Sequence, residues 1–330
     1  MAANDLEIDE AFDEKLSNSR LTLDWRRVRQ FLYAYERRSI GQAASELNVT
    51  QPALSKSLRS LELDLQVKLF ERTPLGVVPT VFGEALALHA KVVQAELRHA
   101  QTQIEYMRGA IRGHVTVGIG PSMAGSFMPA ASLRLLNDRP GIKLTVREGM
   151  ASELIPAVRR GEIDLAVGTW PHLEEPDLAK EVIYRDKLRV YAGAGHPLCQ
   201  GDAQIGNLQD YPWALPPREQ AWRRRLDEVF IARGLAPLVS GVESNCSNYL
   251  KAMLAGNRFL TFLPRQSLWR EESEGLVTAL DVPELNLETD VTMTYRERAV
   301  ISPACRMLMA HLLAVGDEQG RTPEDASESA

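Results

Sequence analysis

Cysteine is scarce: only Cys199, Cys246 and Cys305 occur in 330 residues. An odd number at such wide spacing excludes a disulfide framework and zinc sites of the Cys-x-x-Cys kind. A redox pair, or a metal held by His196 and Cys199, is the minor alternative to incidental or buried thiols. No run of 18 apolar residues is present, and the amino terminus is acidic. A membrane span and a signal peptide are therefore excluded, and a cytoplasmic protein is expected. Also missing are a Gly-x-Ser-x-Gly elbow, a Gly-x-x-x-x-Gly-Lys phosphate loop and a Gly-x-Gly-x-x-Gly helix start after a strand. Glu162 and Asp164 lie two apart at a strand start and read as a solvated edge. With no positioned partner for a general base, neither an enzyme nor a cofactor is expected.

The formal net charge is -6, an unpromising value for a nucleic-acid binder until it is divided along the chain. Residues 1–19 hold six acids and Lys15, and residues 316–330 hold five acids and Arg321, so the tails carry -5 and -4. The remainder is +3, and residues 21–80, with nine Lys or Arg against six Asp or Glu, account for all of it. The tails read as disordered, solvating segments. Positive charge thus collects in one small region.

Within that region Ile40–Leu61 reads as two short helices joined by a tight turn. Ala43, Ala44 and Leu47 recur at helical spacing, and Asn48 tolerates the left-handed conformation that ends a helix. Thr50 then caps the second helix, and Pro52 in its first turn sacrifices no hydrogen bond. Ala53, Leu54, Leu58 and Leu61 form its apolar stripe, leaving Gln51, Ser55, Lys56 and Arg59 on the opposite face. That outer face carries amide, hydroxyl and cationic groups and no carboxylate, which suits a polyanion. The small alanines permit the close crossing of a helix-turn-helix, whose second helix enters a DNA major groove.

The flanks extend the pattern. Trp25, Val28, Phe31 and Leu32 form the core face of a preceding helix, and Leu69-Phe70-Glu71-Arg72 leads through Pro74 and Gly76 into a hairpin ending at Val77-Val78-Pro79-Thr80. Across more than thirty positions in one register, these residues resemble the amino-terminal winged helix-turn-helix of the LysR-type transcriptional regulators. The sequence departs from that family where Arg38-Ser39-Ile40 replaces the usual glycine, serine and aromatic, and in its long amino-terminal extension. The resemblance implies double-stranded DNA as a partner, with Thr50, Gln51, Pro52, Ser55, Lys56 and Arg59 at the major groove and Arg72 of the wing beside the minor groove.

From Val81 to about Arg112 there is no proline, and Leu86, Ala90, Val93, Leu97, Ala100, Ile104, Met107 and Ile111 alternate spacings of four and three. This is a coiled-coil seam, best satisfied by the same helix of a second chain. After Gly113 strands alternate with single helices, which predicts parallel sheets and two α/β lobes joined by crossing strands. These lobes are similar to the family's effector domain at Gly161–Gly168, at Gly195-His196-Pro197-Leu198 and at Phe262-Leu263-Pro264. The expected architecture is an α+β multidomain chain: an acidic extension over 1–20, a winged helix-turn-helix over 21–80, a dimerisation helix over 81–112, an effector-binding domain over 113–315 and an acidic tail over 316–330. Within the effector domain, lobe I spans about 113–185 and 287–315, and lobe II about 186–286.

Ligands of open α/β sheets bind beyond the carboxyl ends of strands, where helix amino termini offer free N–H groups. Ser122 and Met123 after the first strand, Ser152 after the second, and Ser244 with Asn245 in the other lobe occupy such positions. Trp170, Pro216 and Phe262 are the expected walls. A small, anionic organic effector fits two positive helix ends, although serines there also serve as ordinary caps. Arg218 and Arg223-Arg224-Arg225 are candidates to counter a carboxylate, against the commoner reading of a solvated helix face. The resemblance further implies a homodimer or homotetramer, RNA polymerase as a further partner and no membrane. The runs Trp213–Pro217 and Phe259–Arg265 resemble a subgroup tied to aromatic-acid and sugar catabolism. The rival reading is a ligand-independent architectural DNA-binding dimer.

Overall fold

A computed structural model of the chain describes residues 23–74, 76–107, 113–125, 127–170, 175–201 and 203–320. The acidic extension over 1–20 lies outside the described residues. The chain divides into two compact units, one up to Leu97 and one from Arg98 onward.

In the first unit α1 (Trp25–Arg37) is capped by Asp24, whose carboxylate accepts the Arg26 N–H at 2.9 Å. Ser39 caps α2 (Ile40–Glu46), and Thr50 caps α3 (Gln51–Leu65). Asn48, at φ +55°, supplies the left-handed step between α2 and α3. Phe31, Leu32, Ala43, Ala44, Leu54 and Leu61 are each at most 3% exposed and form the core. Ala53, expected in the apolar stripe, is instead exposed. It lies one residue from Leu54 and so about 100° around the helix from the line of Leu54, Leu58 and Leu61. The wing is the hairpin β1 (Phe70–Thr73) and β2 (Gly76–Pro79), with Arg72 opposite Val77. Gly76 is at φ +136°, and a Cβ there would lie 2.2 Å from the Arg38 carbonyl oxygen, so the turn demands glycine. Glu62 joins α3 to the wing by accepting the Leu69 N–H at 2.9 Å and the Phe70 N–H at 3.3 Å.

Helix α4 runs over Val81–Met107, and residues 108–112 of the expected linker lie outside the described residues. Ala90 packs in the core of the first unit, whereas Val93, Leu97 and Ile104 are 47, 48 and 59% exposed. An apolar row this open along one helix is the kind of surface that marks an interaction site.

The second unit is built on one nine-stranded sheet, in the order β4-β3-β5-β11-β6-β9-β7-β8 with β10 also on β6. Its strands are β3 (Gly113–Ile119), β4 (Ile142–Glu148), β5 (Leu165–Gly168), β6 (Leu178–Gly193), β7 (Trp213–Leu215), β8 (Ser240–Glu243), β9 (Leu260–Pro264), β10 (Val277–Leu280) and β11 (Leu287–Arg296). The helices between them are α5 (Phe127–Asp138), α6 (Ala151–Arg159), α7 (Ala221–Ala232), α8 (Ser247–Ala252), α9 (Arg265–Ser273) and α10 (Pro303–Gly320). The expected parallel pairings are present in each lobe, β3 with β4 and β5, and β7 with β8 and β9, but the sheet is mixed, because the crossing strands β11 and β6 run antiparallel to each other and to their neighbours. Those two long strands cross between separate apolar cores. One core gathers Val115, Phe127, Leu165, Met293 and Leu308, and the other Val190, Trp213, Phe230, Phe262 and Leu285. The closing helix continues to Gly320, and Glu318 binds both Nη atoms of Arg134 at 2.9 and 2.6 Å. Residues 316–320, expected in the acidic tail, therefore belong to a helix; residues 321–330 lie outside the described residues.

Two carboxylates hold key junctions. Asp164 Oδ2 accepts the Thr116 N–H at 2.7 Å, Oδ1 lies 2.7 Å from His99 Nε2, and Arg98 donates to the Gly161 carbonyl at 2.9 Å. The last turns of α4 are thus fixed to the lobe containing β3. Asp164 is not the solvated edge expected from sequence, whereas Glu162 pairs with Arg160 at 2.9 Å. Asp186, 5% exposed, lies in β6 just past a break in its register with β11, and accepts the Lys187 N–H at 2.8 Å and, more weakly, the Gln266 N–H at 3.4 Å. Burial raises its pKa to about 6, against the opposing pull of these N–H groups and of Arg265.

Asp164→Ala should cost roughly 2–4 kcal/mol in denaturant unfolding, because it strands a buried backbone N–H and the His99 ring, while Glu162→Ala should change stability by less than about 0.5 kcal/mol. Asp186 predicts a pH dependence of defined sign. Its folded pKa lies above the unfolded value near 3.8, so its contribution to stability is full below pH 4 and is lost as pH rises through 6. That loss is worth about 3 kcal/mol, and in thermal melts from pH 4 to 8 Asp186→Asn should fall less steeply than wild type.

Candidate nucleic-acid interface and ligand cleft

Helix α3 presents its outer face as the sequence pattern requires. Thr50, Gln51, Pro52, Lys56 and Arg59 are exposed and Ser55 is half-buried, above a core-facing row of Leu54, Leu58 and Leu61. The Thr50 hydroxyl accepts the Ala53 N–H at 3.4 Å, so its first role is to fix the start of this helix. Ser57 lies on the inner side and hydrogen-bonds Gln30 of α1. Arg72 is exposed on the wing strand.

Several of the unit's cations off this face are held in ion pairs. Arg27 pairs with Asp64 at 2.5 Å, Arg37 with Glu46 at 2.7 Å and Lys68 with Glu62 at 3.1 Å. Among the described residues Lys56, Arg59 and Arg72 enter no ion pair. Cations left uncompensated on a helix sized for a major groove are poised for phosphate and base edges.

In the second unit a cleft of about 530 Å³ lies between the lobes. Ser122, Ser152, Trp170, Pro216, Ser244 and Asn245, all expected from sequence, line it. Ser122 sits in the 3-10 turn Pro121–Met123 at the end of β3, and is 8% exposed. Ser152 stands in the first turn of α6. The Ser244 hydroxyl accepts the Cys246 N–H at 3.1 Å, and its own N–H donates to the Leu215 carbonyl at 3.0 Å, so this residue also shapes its loop. The indole of Trp170 lies over Gly168 and Gly120; a Cβ on Gly168 would come within 2.7 Å of the ring.

Two residues expected at the effector site, Met123 of the first loop and Phe262 of the wall, are corrected. Met123 is fully buried in the lobe I core, because the 3-10 turn directs it inward beside the outward Ser122. Phe262 is fully buried in the lobe II core, opposite Val190, on a strand whose five residues are all buried. Sequence reasoning missed Ile155, Pro156 and Arg159 on α6 and Gln220, Trp222 and Leu250 in lobe II. The first three were accessible: with Ser152 they occupy positions i, i+3, i+4 and i+7, a single helix face.

Charge in the cleft is nearly spent. Arg159 donates to Asp177 at 2.8 Å and also binds Glu175, so both acids hold its guanidinium and raise its pKa. Glu219 adds a further acid to the lining. Of the expected counter-cations, Arg223 is 1% exposed and directed to the carbonyls of Leu238 and Pro216 and to Asp227, while Arg218 lies 3.7 Å from Asp227. An anion in this cleft therefore meets the N–H groups at the start of α6 and the surrounding hydroxyls rather than a free guanidinium. Cys199, Cys246 and Cys305 are all free thiols, and burial pushes that of Cys305 up. His196 accepts the Leu198 N–H on Nδ1 at 3.2 Å, and Cys199 donates to the Gly193 carbonyl at 3.3 Å, which accounts for both within a loop. Among the described residues no group of acids, His and Cys is arranged to hold a metal, and no helix is long and apolar enough to cross a membrane.

Comparison with known proteins gives two family matches. Residues 25–84 match the bacterial regulatory helix-turn-helix protein, lysR family, and residues 108–317 match the LysR substrate binding domain. The HTH-type transcriptional regulator GalR of Pseudomonas putida is 28% identical over 295 residues, covering 89% of this chain and 74% of its own. Among solved structures, a full-length OxyR variant from Pseudomonas aeruginosa superposes with a TM-score of 0.67 at 21% identity, covering 90% of this chain and 95% of that one. The effector binding domain of QuiR in complex with shikimate superposes at 0.54 and 18% identity, over 63% of this chain and 98% of its own.

Proposed function

The chain belongs to the LysR family of DNA-binding bacterial transcriptional regulators, and from that premise we propose how its own residues divide the work. Gln51 reads a base edge from the start of α3, and Lys56 and Arg59 contact phosphates or guanine. Thr50, Pro52 and Ser55 set the approach of the helix to the groove, and Arg72 reaches from the wing. The observation that carries this reading is the acid-free outer face of α3, on which Lys56 and Arg59 enter no ion pair among the described residues.

The second unit senses a small organic effector in the cleft between Ser122, Ser152, Trp170, Pro216, Ser244 and Asn245. The ring of the effector lies against the Trp170 indole, and its anionic substituent is held by helix N–H groups and hydroxyls. The shikimate complex of QuiR, a ring carrying hydroxyls and one carboxylate, supports an effector of this kind. Two chains pair along α4 through Val93, Leu97, Ala100 and Ile104, presenting two reading heads to a palindromic site, and a pair of such dimers makes a tetramer. The effector then biases one arrangement of the oligomer through its differential affinity for the two lobe positions. A purely architectural role is disfavoured by the cleft, which has the size and mixed apolar and polar lining of a ligand site.

The DNA half of the proposal separates by mutation. Gln51→Ala should lose preference for the specific site more than affinity for random DNA. Lys56→Ala should weaken all sites alike and reduce the slope of log affinity against log salt by about one. Titrations of specific and random duplexes at several salt concentrations measure both; equal losses for both variants on both duplexes would refute this division of roles.

A further inference from the structure

The two lobe I elements that bring serines to the cleft both run to α4. Helix α6 lines the cleft along one face, from Ser152 in its first turn to Arg159 in its last. Its other face packs Leu154, Ala157 and Val158 with Ile163 and Ala166, so the helix and the start of β5 form one body. The helix closes in a Schellman motif: Gly161, at φ +68°, donates its N–H to the Val158 carbonyl and Glu162 donates to that of Ala157, each at 2.9 Å. The Gly161 carbonyl lies past this closure and accepts Arg98 of α4 at 2.9 Å, which sets a cation at the negative end of the helix.

Strand β3 reaches the same place. Ser122 stands just beyond its cleft end, and midway along it the Thr116 N–H donates to Asp164 Oδ2 at 2.7 Å while the Thr116 carbonyl accepts the Asp164 N–H at 2.8 Å. Asp164 Oδ1 in turn meets His99 Nε2 at 2.7 Å, with both side chains only 15% exposed. Arg98 and His99 are adjacent on α4, so α6 and β3 are gripped at one point of that helix. A packed helix of nine residues, roughly 13 Å long, moves as a unit, and a displacement of its start in the cleft is delivered at Gly161.

We propose that Arg98 and His99 are the positioning residues through which the effector cleft sets α4: Arg98 follows the carboxyl end of α6, and His99 follows β3 through Asp164. This rests on the reading of the cleft as the effector site, and it names how occupancy of that site leaves lobe I. An anion drawn to the N–H groups at the start of α6 holds that helix in one position, and Gly161 passes the position to Arg98. Asp164 does the same for β3, whose far end carries Ser122.

The test is hydrogen exchange of the full-length chain with an anion built into the cleft. Ser152 is exposed in the first turn of α6, and Ser152→Asp supplies a carboxylate to the helix start without an added ligand. It should slow exchange of the α4 amides around Arg98 and His99 by at least about twofold, the low end of coupling carried through packed elements, while the amides of α10, elsewhere in lobe I, do not respond. Arg98→Ala combined with His99→Leu should abolish the slowing. Arg98→Lys combined with His99→Gln, which keep a donor to Gly161 and to Asp164, should retain it. Arg98→Ala alone, at an exposed side chain, leaves the fold intact and should diminish it. A merely structural anchor changes the protection of α4 in each background but gives no response to Ser152→Asp that its removal could abolish. No slowing with Arg98 and His99 in place, or slowing that survives their removal, would overturn the assignment. No effector is added, so failure here is distinct from failure of the cleft to bind one.

Discussion

The antiparallel pairing of β6 with β11 is the constraint on which the second unit depends. These strands run side by side from Leu178 to Leu188 and from Leu287 to Arg296. They carry the chain out of one lobe and back again. Everything that distinguishes two lobes with a space between them from one continuous sheet follows from that double crossing. Two strands are stiff to stretching and shear but bend where their ladder is interrupted, and here the register shifts between Val291 and Thr292. Asp186, buried a few residues beyond that shift, is costly to keep ionised and is retained close to the bend. A domain that transmits ligand binding by lobe closure needs such a place.

The two units meet their functions by opposite uses of charge. In the head, acids pair with Arg27, Arg37 and Lys68, while Lys56, Arg59 and Arg72 enter no ion pair among the described residues. In the cleft, Asp177 and Glu175 neutralise Arg159, which on the proposed reading leaves selection of an effector to shape, hydroxyls and helix N–H groups. A guanidinium open to solvent there would hold any passing anion, and specificity would suffer. Along the sequence the formal charge of -6 is uneven: residues 1–19 and 316–330 carry -5 and -4, and residues 21–80 carry +3.

How far the structure was legible in the sequence depends on the range of the interactions. The helix-turn-helix was readable because its determinants are local: Asn48 for the left-handed step, Thr50 for the cap, Pro52 for the first turn. The serines and amides of the cleft were readable because strand ends followed by helix starts are recognisable in order. The mixed sheet was not, since β6 finds its partner β11 about a hundred residues later and no local pattern states the direction of that pairing. Met123 was misplaced because its neighbour Ser122 lines the cleft and the tight turn between them exchanges faces, and Phe262 because it lies in β9, all five of whose residues are buried. Trp222 and Leu250 belong to the cleft only through the way lobe II folds, and Arg223, which reads as part of a solvated cationic run, is buried because the backbone carbonyls it needs come from distant loops.

The central claim is that the second unit is a sensor whose ligand lies between the lobes. Its most direct test is thermal unfolding of the full-length chain against a panel of aromatic acids, other small carboxylates, sugars and sugar acids. At a hundred times its dissociation constant an effector stabilises the unit it binds by about 2.7 kcal/mol. The account predicts that at least one compound raises the midpoint of the second unit while leaving that of the head in place, and that Ser152→Trp abolishes the rise. A well-folded chain whose second unit responds to no member of the panel, or whose response survives a filled cleft, would contradict it.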